Sequence, residues 1–464
     1  MKSNRQKKWI IMPVEVTARD FHARLFLSCH AVWAGFGVIF GMQGRILSRV
    51  NDLPKGIYFD KSLSINKSVQ INQLKAQGFR VVSIDEESLS SSAYPENSLN
   101  KRYSEPTLNA VDACFVWGKS EYELIKSKYS SYQNKFVLTG SPRIDILHKK
   151  NRAFFTENVR KINANFGSYF LFVSNFTVNH ILGVNGKFAL LKALGRIPSD
   201  ASRKYYENRE RKQVERFDRF VELVKNTARK FPRQTIVVRP HPSEDRRYWD
   251  QLAGEFDNVF VQREDSVIPW ILGAEVHIHS GCTTGIEAFF LNVPSISFLP
   301  QSYSYETEKH VANDASYVCS TQEGVFEAIK KLNKSGKNAQ KLCRNLDRVY
   351  DHIENCHEPD GTEKIVDKLK EISIPDASIS FWAAMNLVAR INKDIMMRNL
   401  RRLGSGKSKS DGFLERQRYD LQKTDDFSLG KVNEFVRVIR ENHPKSNQHI
   451  RVKYLGKDIV YLTR

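Results

Sequence analysis

The stretch VHIHSGCTTGIEAFFLNVPSISF, residues 276–298, reads as strand, loop, helix and strand in immediate succession. Val276 to His279 and Ser295 to Phe298 are short apolar or β-branched runs, and the segment between them carries a helical apolar face. A strand returned to its own sheet through a helix lies parallel to its predecessor, so this stretch predicts an α/β domain with a parallel sheet. Outward from it, the runs Tyr169–Val173, Thr235–Val238 and Val259–Gln262 repeat the pattern, each followed by a helical segment. The polar stretch from Ser199 to Arg233, rich in Arg, Lys and Glu, reads as a solvated helix lying on that sheet.

A second set of runs occupies the first 145 residues: Trp9–Met12, Val38–Phe40, Gly56–Phe59, Arg80–Ile84, Ala113–Trp117 and Phe136–Thr139. Phe21, Leu25, Cys29 and Val32 recur at helical spacing between the first two, with Gly35 as the stop. A chain of 464 residues exceeds one ordinary core and fits two domains with an appendage. The expected division is 1–155, 156–375, a basic amphipathic helix over 376–403 and an extension over 404–464, with the main boundary near Lys149 to Ser168. Phe381, Met385, Val388, Ile391 and Ile395 form the apolar face of that late helix, and GSGKSKSD at 404–411 reads as a linker. Ile450–Tyr454 and Asp458–Thr463 form a strand-like pair.

Composition narrows the classes. With 41% hydrophobic and 27% charged residues the chain is globular rather than disordered. The uncharged region Leu25–Gly44 is interrupted by His30, Gly35 and Gly37 and falls short of the ~20 apolar residues that cross a bilayer. The basic start MKSNRQKKW leads into no signal-peptide core, so a cytoplasmic protein is expected. Six scattered cysteines without a CxxC pair predict neither disulfides nor zinc. The net charge is +20, and residues 381–464 carry 18 Lys/Arg against 9 Asp/Glu, which favours anionic partners: nucleic acid, lipid headgroups or phosphorylated substrates.

The chemistry-bearing residues sit at strand ends. TIVVRPHPSE runs from a strand into Arg239, Pro240, His241, Pro242 and Ser243, where open α/β sheets bind ligands. Arg239 offers a fork of donors to a phosphate, His241 a donor to a phosphoryl oxygen, and the prolines stiffen the loop. Ser280, Gly281, Cys282, Thr283 and Thr284 occupy the turn into a helix, a site for an anion, with Glu287 placed to accept from ribose hydroxyls. The same letters spell an ordinary Ser/Thr cap with Glu287 closing a capping box. In the first domain, Asp85, Glu86 and Glu87 end a strand, and Glu15, Arg19 and Asp20 end another; a carboxylate there serves as base or nucleophile, or is a solvated loop acid.

The ordered motifs PVEVTARDFHARL, KGIYFDKS, DEESL, FVWG, TGSPRID, RPHPSE and HSGCTTGIEA resemble those of bacterial surface-carbohydrate biosynthesis proteins of GT-B type, over residues 10 to 300. RPHP followed by HSGCTT is similar, more distantly, to the His-Pro and Ser/Thr motifs with which sialyl-, polysialyl- and capsule Kdo-transferases hold a CMP-sugar. That resemblance implies two Rossmann-like domains with a deep cleft, His241 on the donor phosphate, and Ser280, Thr283 and Thr284 on the nucleotide. IDEESL resembles the acidic Glu-Asp-Gly-Phe strand end of the Kdo transferases and implies Glu86 as the catalytic carboxylate, although Glu87 and Ser88 replace Gly and Phe. Asp85 and Glu15 are the reserve candidates.

The expectation is a metal-independent glycosyltransferase without cofactor. It moves a sugar, such as the nonulosonic acid Kdo, from a CMP-linked donor to a surface polysaccharide or lipid-linked acceptor, with the basic tail on anionic lipid. A nucleotide-sugar 2-epimerase or CDP-polyol phosphotransferase of the same fold is the alternative. Nucleic-acid binding ranks lower, because basic residues of the body alternate with acids and no aromatic-rich module is present.

Overall fold

The apolar runs become strands because both faces of a parallel sheet are covered, leaving no solvent side to demand alternation. In the computed structural model, which describes residues 7–91, 95–176, 200–241, 244, 246–263, 265–300, 310–335, 343–376, 389, 427–443, 448–456 and 458–464, two such sheets form. The first is built from β1 (Trp9–Val14), β2 (Gly37–Met42), β3 (Ile57–Asp60), β4 (Arg80–Ile84), β5 (Ala113–Val116) and β6 (Phe136–Leu138). Every residue of β1, β2, β3 and β5 is buried. The second contains β7 (Tyr169–Val173), β8 (Thr235–Arg239), β9 (Val259–Val261), β10 (Val276–His279), β11 (Ser295–Phe298) and β12 (Tyr317–Cys319). Its order is β12-β11-β10-β7-β8-β9, parallel throughout. β12, which the sequence reading lacks, is a three-residue edge strand whose Tyr317 is exposed, too short for a periodic signal.

The first sheet has the order β13-β14-β2-β1-β3-β4-β5-β6. Its last two strands come from the far end of the chain: β13 (Arg451–Gly456) and β14 (Ile459–Thr463) form a hairpin, and β14 lies antiparallel on β2. Leu455, Ile459, Val460 and Leu462 are fully buried there. Gly41 of β2 is required by this docking, since a Cβ at that position would lie 2.4 Å from the Asp458 carbonyl oxygen. The strand-like pair read from the sequence is therefore an integral edge of the first sheet.

The helix Thr17–Trp33 buries Phe21, Leu25, Cys29 and Val32, and Gly35 follows it at a φ of 104°. The polar stretch of the sequence forms the helix Asp200–Lys230, whose Phe217, Phe220, Leu223 and Val224 pack on Phe170, Phe172, Ile236 and Val238 of the second sheet.

Contacts divide the chain into two Rossmann-like units. One joins the chain up to Phe154 with 347–376 and 427–464; the other runs from Phe155 to Leu346. The first break lies between Phe154 and Phe155, and 347–376 group with the first unit. The reason is a buried carboxylate: Asp145, in the TGSPRID motif, accepts from Asn355 Nδ2 (2.5 Å), Gly361 N (3.3 Å), Thr362 N (2.5 Å) and Thr362 Oγ1 (2.5 Å), fastening the helix Gly361–Glu371 to the first unit. The expected basic amphipathic helix and its linker lie outside the described residues. Among the described residues no helix is long and apolar enough to cross a membrane.

Candidate functional site

The second sheet reverses its order at β7, with β8 and β9 on one side and β10, β11 and β12 on the other. Parallel sheets hold ligands beyond the carboxyl ends of the strands at such a reversal. Here those ends are Ser174 and Asn175 after β7, and Ser280 and Gly281 after β10, linked by Asn175 Nδ2 donating to the Gly281 carbonyl oxygen at 3.4 Å. Gly281 has a φ of 65°, and a Cβ on it would stand 2.4 Å from Arg216 Nη2, so only glycine suits the turn.

The helix Thr284–Leu291 starts from this turn. Gly285 N and Ile286 N close on the carbonyls of Cys282 and Thr283. Thr283, the N-cap residue, makes no side-chain cap. Gly281, Thr283 and Glu287 are half-buried, while Ser280, Cys282 and Thr284 are buried and serve the scaffold. Ser280 Oγ donates to the Phe298 carbonyl oxygen (2.7 Å), Thr284 Oγ1 meets His277 Nε2 (3.1 Å), and burial pushes the Cys282 thiol up.

Two histidines brace the turn from below. His279 Nδ1 accepts from Cys282 N at 3.0 Å, so its proton is on Nε2, which faces Ser316 Oγ at 2.9 Å. Burial, with the charge of Arg216 among the lesser causes, holds His279 well below the usual imidazole range, and burial pushes His277 down to about 3. Both rings are neutral fixtures, stacked 5.1 Å apart.

Arg216, from the helix Asp200–Lys230, brings positive charge to the turn. Its Nε donates to Ser280 Oγ (2.7 Å), its Nη2 to the Ser280 carbonyl oxygen, and its guanidinium lies 5.9 Å over the Phe176 ring. Nothing in the sequence separates Arg216 from the solvated arginines of the same helix. Arg239, the expected phosphate fork, turns elsewhere: Nη2 donates to the carbonyls of Arg263 (3.3 Å) and Asp265 (2.9 Å), and the guanidinium sits 5.2 Å over Trp270. It binds the loop after β9. His241 is exposed beyond β8, and Pro242 lies outside the described residues. Glu244, part of RPHPSE but assigned no role by the sequence, is buried beneath this loop.

In the first unit, the sheet reverses at β1, and the carboxyl ends of β1, β3 and β4 carry a network of charge. Glu86 is buried in an ion pair with Arg24 (2.9 Å), which also donates to the Phe59 carbonyl oxygen (3.0 Å). Asp85 is buried and gripped at two points by Arg102. Glu15 meets Lys61 and, at 3.8 Å, Arg19. The most accessible of these acids is Glu87, half-buried with its side chain 42% accessible, between Arg19 (3.1 Å) and Arg102 (2.8 Å). Burial works to raise its pKa, but the two guanidiniums outweigh it and hold the carboxyl at about 2. The carboxylates that the sequence reading put first are thus the ones most committed to the scaffold.

Glu121, in the first turn of the helix Lys119–Lys128 after β5, has the opposite character. It accepts from Ser88 Oγ (2.5 Å) and Tyr103 Oη (2.9 Å), and burial together with the charge of Asp85 pushes it up to about 7. Two carboxyls at neighbouring strand ends, one near 2 and one near 7, have the separation that divides ionised from proton-exchanging roles. The sequence gives Glu121 no distinction from other helix-start acids, because its partners Ser88 and Tyr103 lie 33 and 18 residues away.

No family model matches the chain, and no curated protein matches it in sequence. Among solved structures, a UDP-GlcNAc 2-epimerase from Methanocaldococcus jannaschii, in complex with UDP-GlcNAc and UDP, is similar at 14% identity over 78% of this chain and 99% of that one, with a TM-score of 0.48. A UDP-GlcNAc 2-epimerase from Neisseria meningitidis bound to UDP-GlcNAc is similar at 12% identity over 79% and 100%, with a TM-score of 0.48. The wall teichoic acid polymerase TagF is similar at 12% identity over 80% and 90%, with a TM-score of 0.44.

Proposed function

We propose that this protein is a glycosyltransferase of GT-B type that binds a cytidylyl-linked sugar on its second unit and activates an acceptor hydroxyl on its first. The observation that carries this reading is the Gly281 turn: a left-handed glycine, an uncapped Thr283 and a buried Arg216 at the reversal point of a parallel sheet. A helix start with nearby positive charge suits a phosphate, and His241, exposed at the exit of β8, adds a donor. Arg216 takes the electrostatic part that the sequence reading gave to Arg239. The CMP donor, the surface-polysaccharide or lipid-linked acceptor, and anchoring of the segment 398–409 on anionic lipid belong to the same proposal and rest on the resemblance and the charge of the tail.

The nucleotide is tested by thermal shift with CMP, CDP, UDP and GDP. A ligand at a hundred times its Kd stabilises by about 2.7 kcal/mol, and CMP or CDP is expected to raise Tm more than UDP or GDP. A clear UDP preference overturns the cytidylyl assignment. Product analysis after incubation with a nucleotide sugar alone separates a transferase, which leaves the sugar unchanged, from an epimerase, which inverts a centre.

On the acceptor side, Glu121 is proposed as the base that takes the hydroxyl proton, and Glu87 as the fixed negative charge beside it. General-base contributions are on the order of 100-fold or more, so Glu121→Gln is expected to lower transfer by about that factor while nucleotide binding holds. Because a base acts ionised, the wild-type rate should rise as pH climbs through about 7, and the variant should lose that rise. An unchanged pH profile in Glu121→Gln removes Glu121 from the reaction.

A further inference from the structure

Glu244 is buried, yet the groups bonded to its carboxylate are neutral donors from three separate segments. Ser174 Oγ reaches both oxygens (2.7 and 2.6 Å), Phe176 N reaches Oε1 (2.7 Å), Trp249 Nε1 reaches Oε2 (2.9 Å), and His241 N makes a longer contact with Oε1 (3.4 Å). Ser174 and Phe176 flank Asn175 on the exit of β7, and His241 is on the exit of β8. One carboxylate therefore ties the exit of β8 to the exit of β7, whose Asn175 bonds the Gly281 carbonyl oxygen.

Resting on the donor-site reading above, we infer that Glu244 is the positioning residue of the nucleotide site, and that its ionised form is the one that holds Asn175 and His241 in place for the nucleotide phosphate. The donor set dictates this. The ionised group accepts from all four donors through charge-assisted bonds, whereas a proton on either carboxylate oxygen removes that charge and turns the Ser174 hydroxyl, which lies within reach of both oxygens, from donor to acceptor. The three N–H bonds are then left on a neutral, weaker acceptor, and the segments they belong to are held less firmly. Burial raises the Glu244 carboxyl to about 7, against the Ser174, Trp249, Phe176 and His241 bonds that lower it, so both forms are populated around neutral pH. The titratable neighbours are the buried Cys282 thiol, which feels the Glu244 and Glu287 charges, and the imidazole of His241 in the same loop.

The test is the Kd for CMP, measured by calorimetry at pH 6 and pH 8 with the full chain. If only the ionised form binds, a group near 7 weakens binding about tenfold over that interval as pH falls. The phosphate of CMP titrates in the same range, near 6, but does so equally for every variant, so the comparison between proteins isolates Glu244. Ser174→Ala removes a donor to the ionised form and should move the midpoint of the Kd curve to higher pH. Glu244→Gln cannot ionise; it should bind about tenfold more weakly than wild type at pH 8 and keep only the slope contributed by the ligand and His241. A His241→Ala protein that retains the wild-type midpoint separates Glu244 from the imidazole; a midpoint lost with His241→Ala overturns the inference. Kd curves for Ser174→Ala and Glu244→Gln that superimpose on wild type also overturn it. If the wild-type protein binds CMP at neither pH, nor CDP, UDP or GDP, the donor-site reading itself fails and the inference goes with it.

Discussion

Arg24→Met is expected to destabilise the first unit by about 3–5 kcal/mol, the usual consequence of stripping one partner from a buried ion pair. Glu86 would be left 5% exposed with its charge uncompensated, and the Arg24 bonds to the Phe59 and Asp60 carbonyls would go as well. The double variant Arg24→Met with Glu86→Leu should recover most of the loss, because apolar replacement of both ions removes the desolvation cost together with the attraction. Urea unfolding of the single and double variants measures this. The same set decides the role of Glu86: as a scaffold residue, its Glu86→Gln variant loses stability and transfers in proportion to the folded fraction. Abolished transfer in a fully stable Glu86→Gln protein would return the catalytic role to Glu86.

Asp145→Ala should have an effect of similar size on the same unit. It leaves the Asn355 amide, Gly361 N, Thr362 N and the Thr362 hydroxyl without their acceptor, each a buried donor that costs about 1–3 kcal/mol when unsatisfied. Loss of this clamp frees the start of the helix Gly361–Glu371 from Asp145, so amide exchange over 361–371 should accelerate while β7 to β12 stay protected. The pH dependence has a definite sign. Burial raises the folded carboxyl to about 6, against the hydrogen bonds that lower it; the unfolded value is about 3.9. The folded state therefore holds the proton more tightly between those values, and stability falls as pH rises through that window and levels off above it. Asp145→Ala should flatten this part of the stability curve; an unchanged slope places its origin in another group.

What the sequence determined by itself was whatever depends on neighbours along the chain. Runs such as Trp9–Val14 and Tyr169–Val173 are apolar on both faces, which commits them to covered parallel strands, and Gly281 between a strand and a helix marks a left-handed turn. The tertiary structure decided where charged side chains spend their hydrogen bonds. Arg239 turned to the loop after β9, Arg216 arrived from a helix 64 residues earlier to bond Ser280, and Glu86 found Arg24 across 62 residues. It also carried the last two strands back to the edge of β2, where Gly41 leaves room for the Asp458 carbonyl. A backbone conformation is chosen by sterics within a few residues, whereas a buried charge takes whatever partner the packed fold brings within about 3 Å, and that partner has no fixed distance in the sequence.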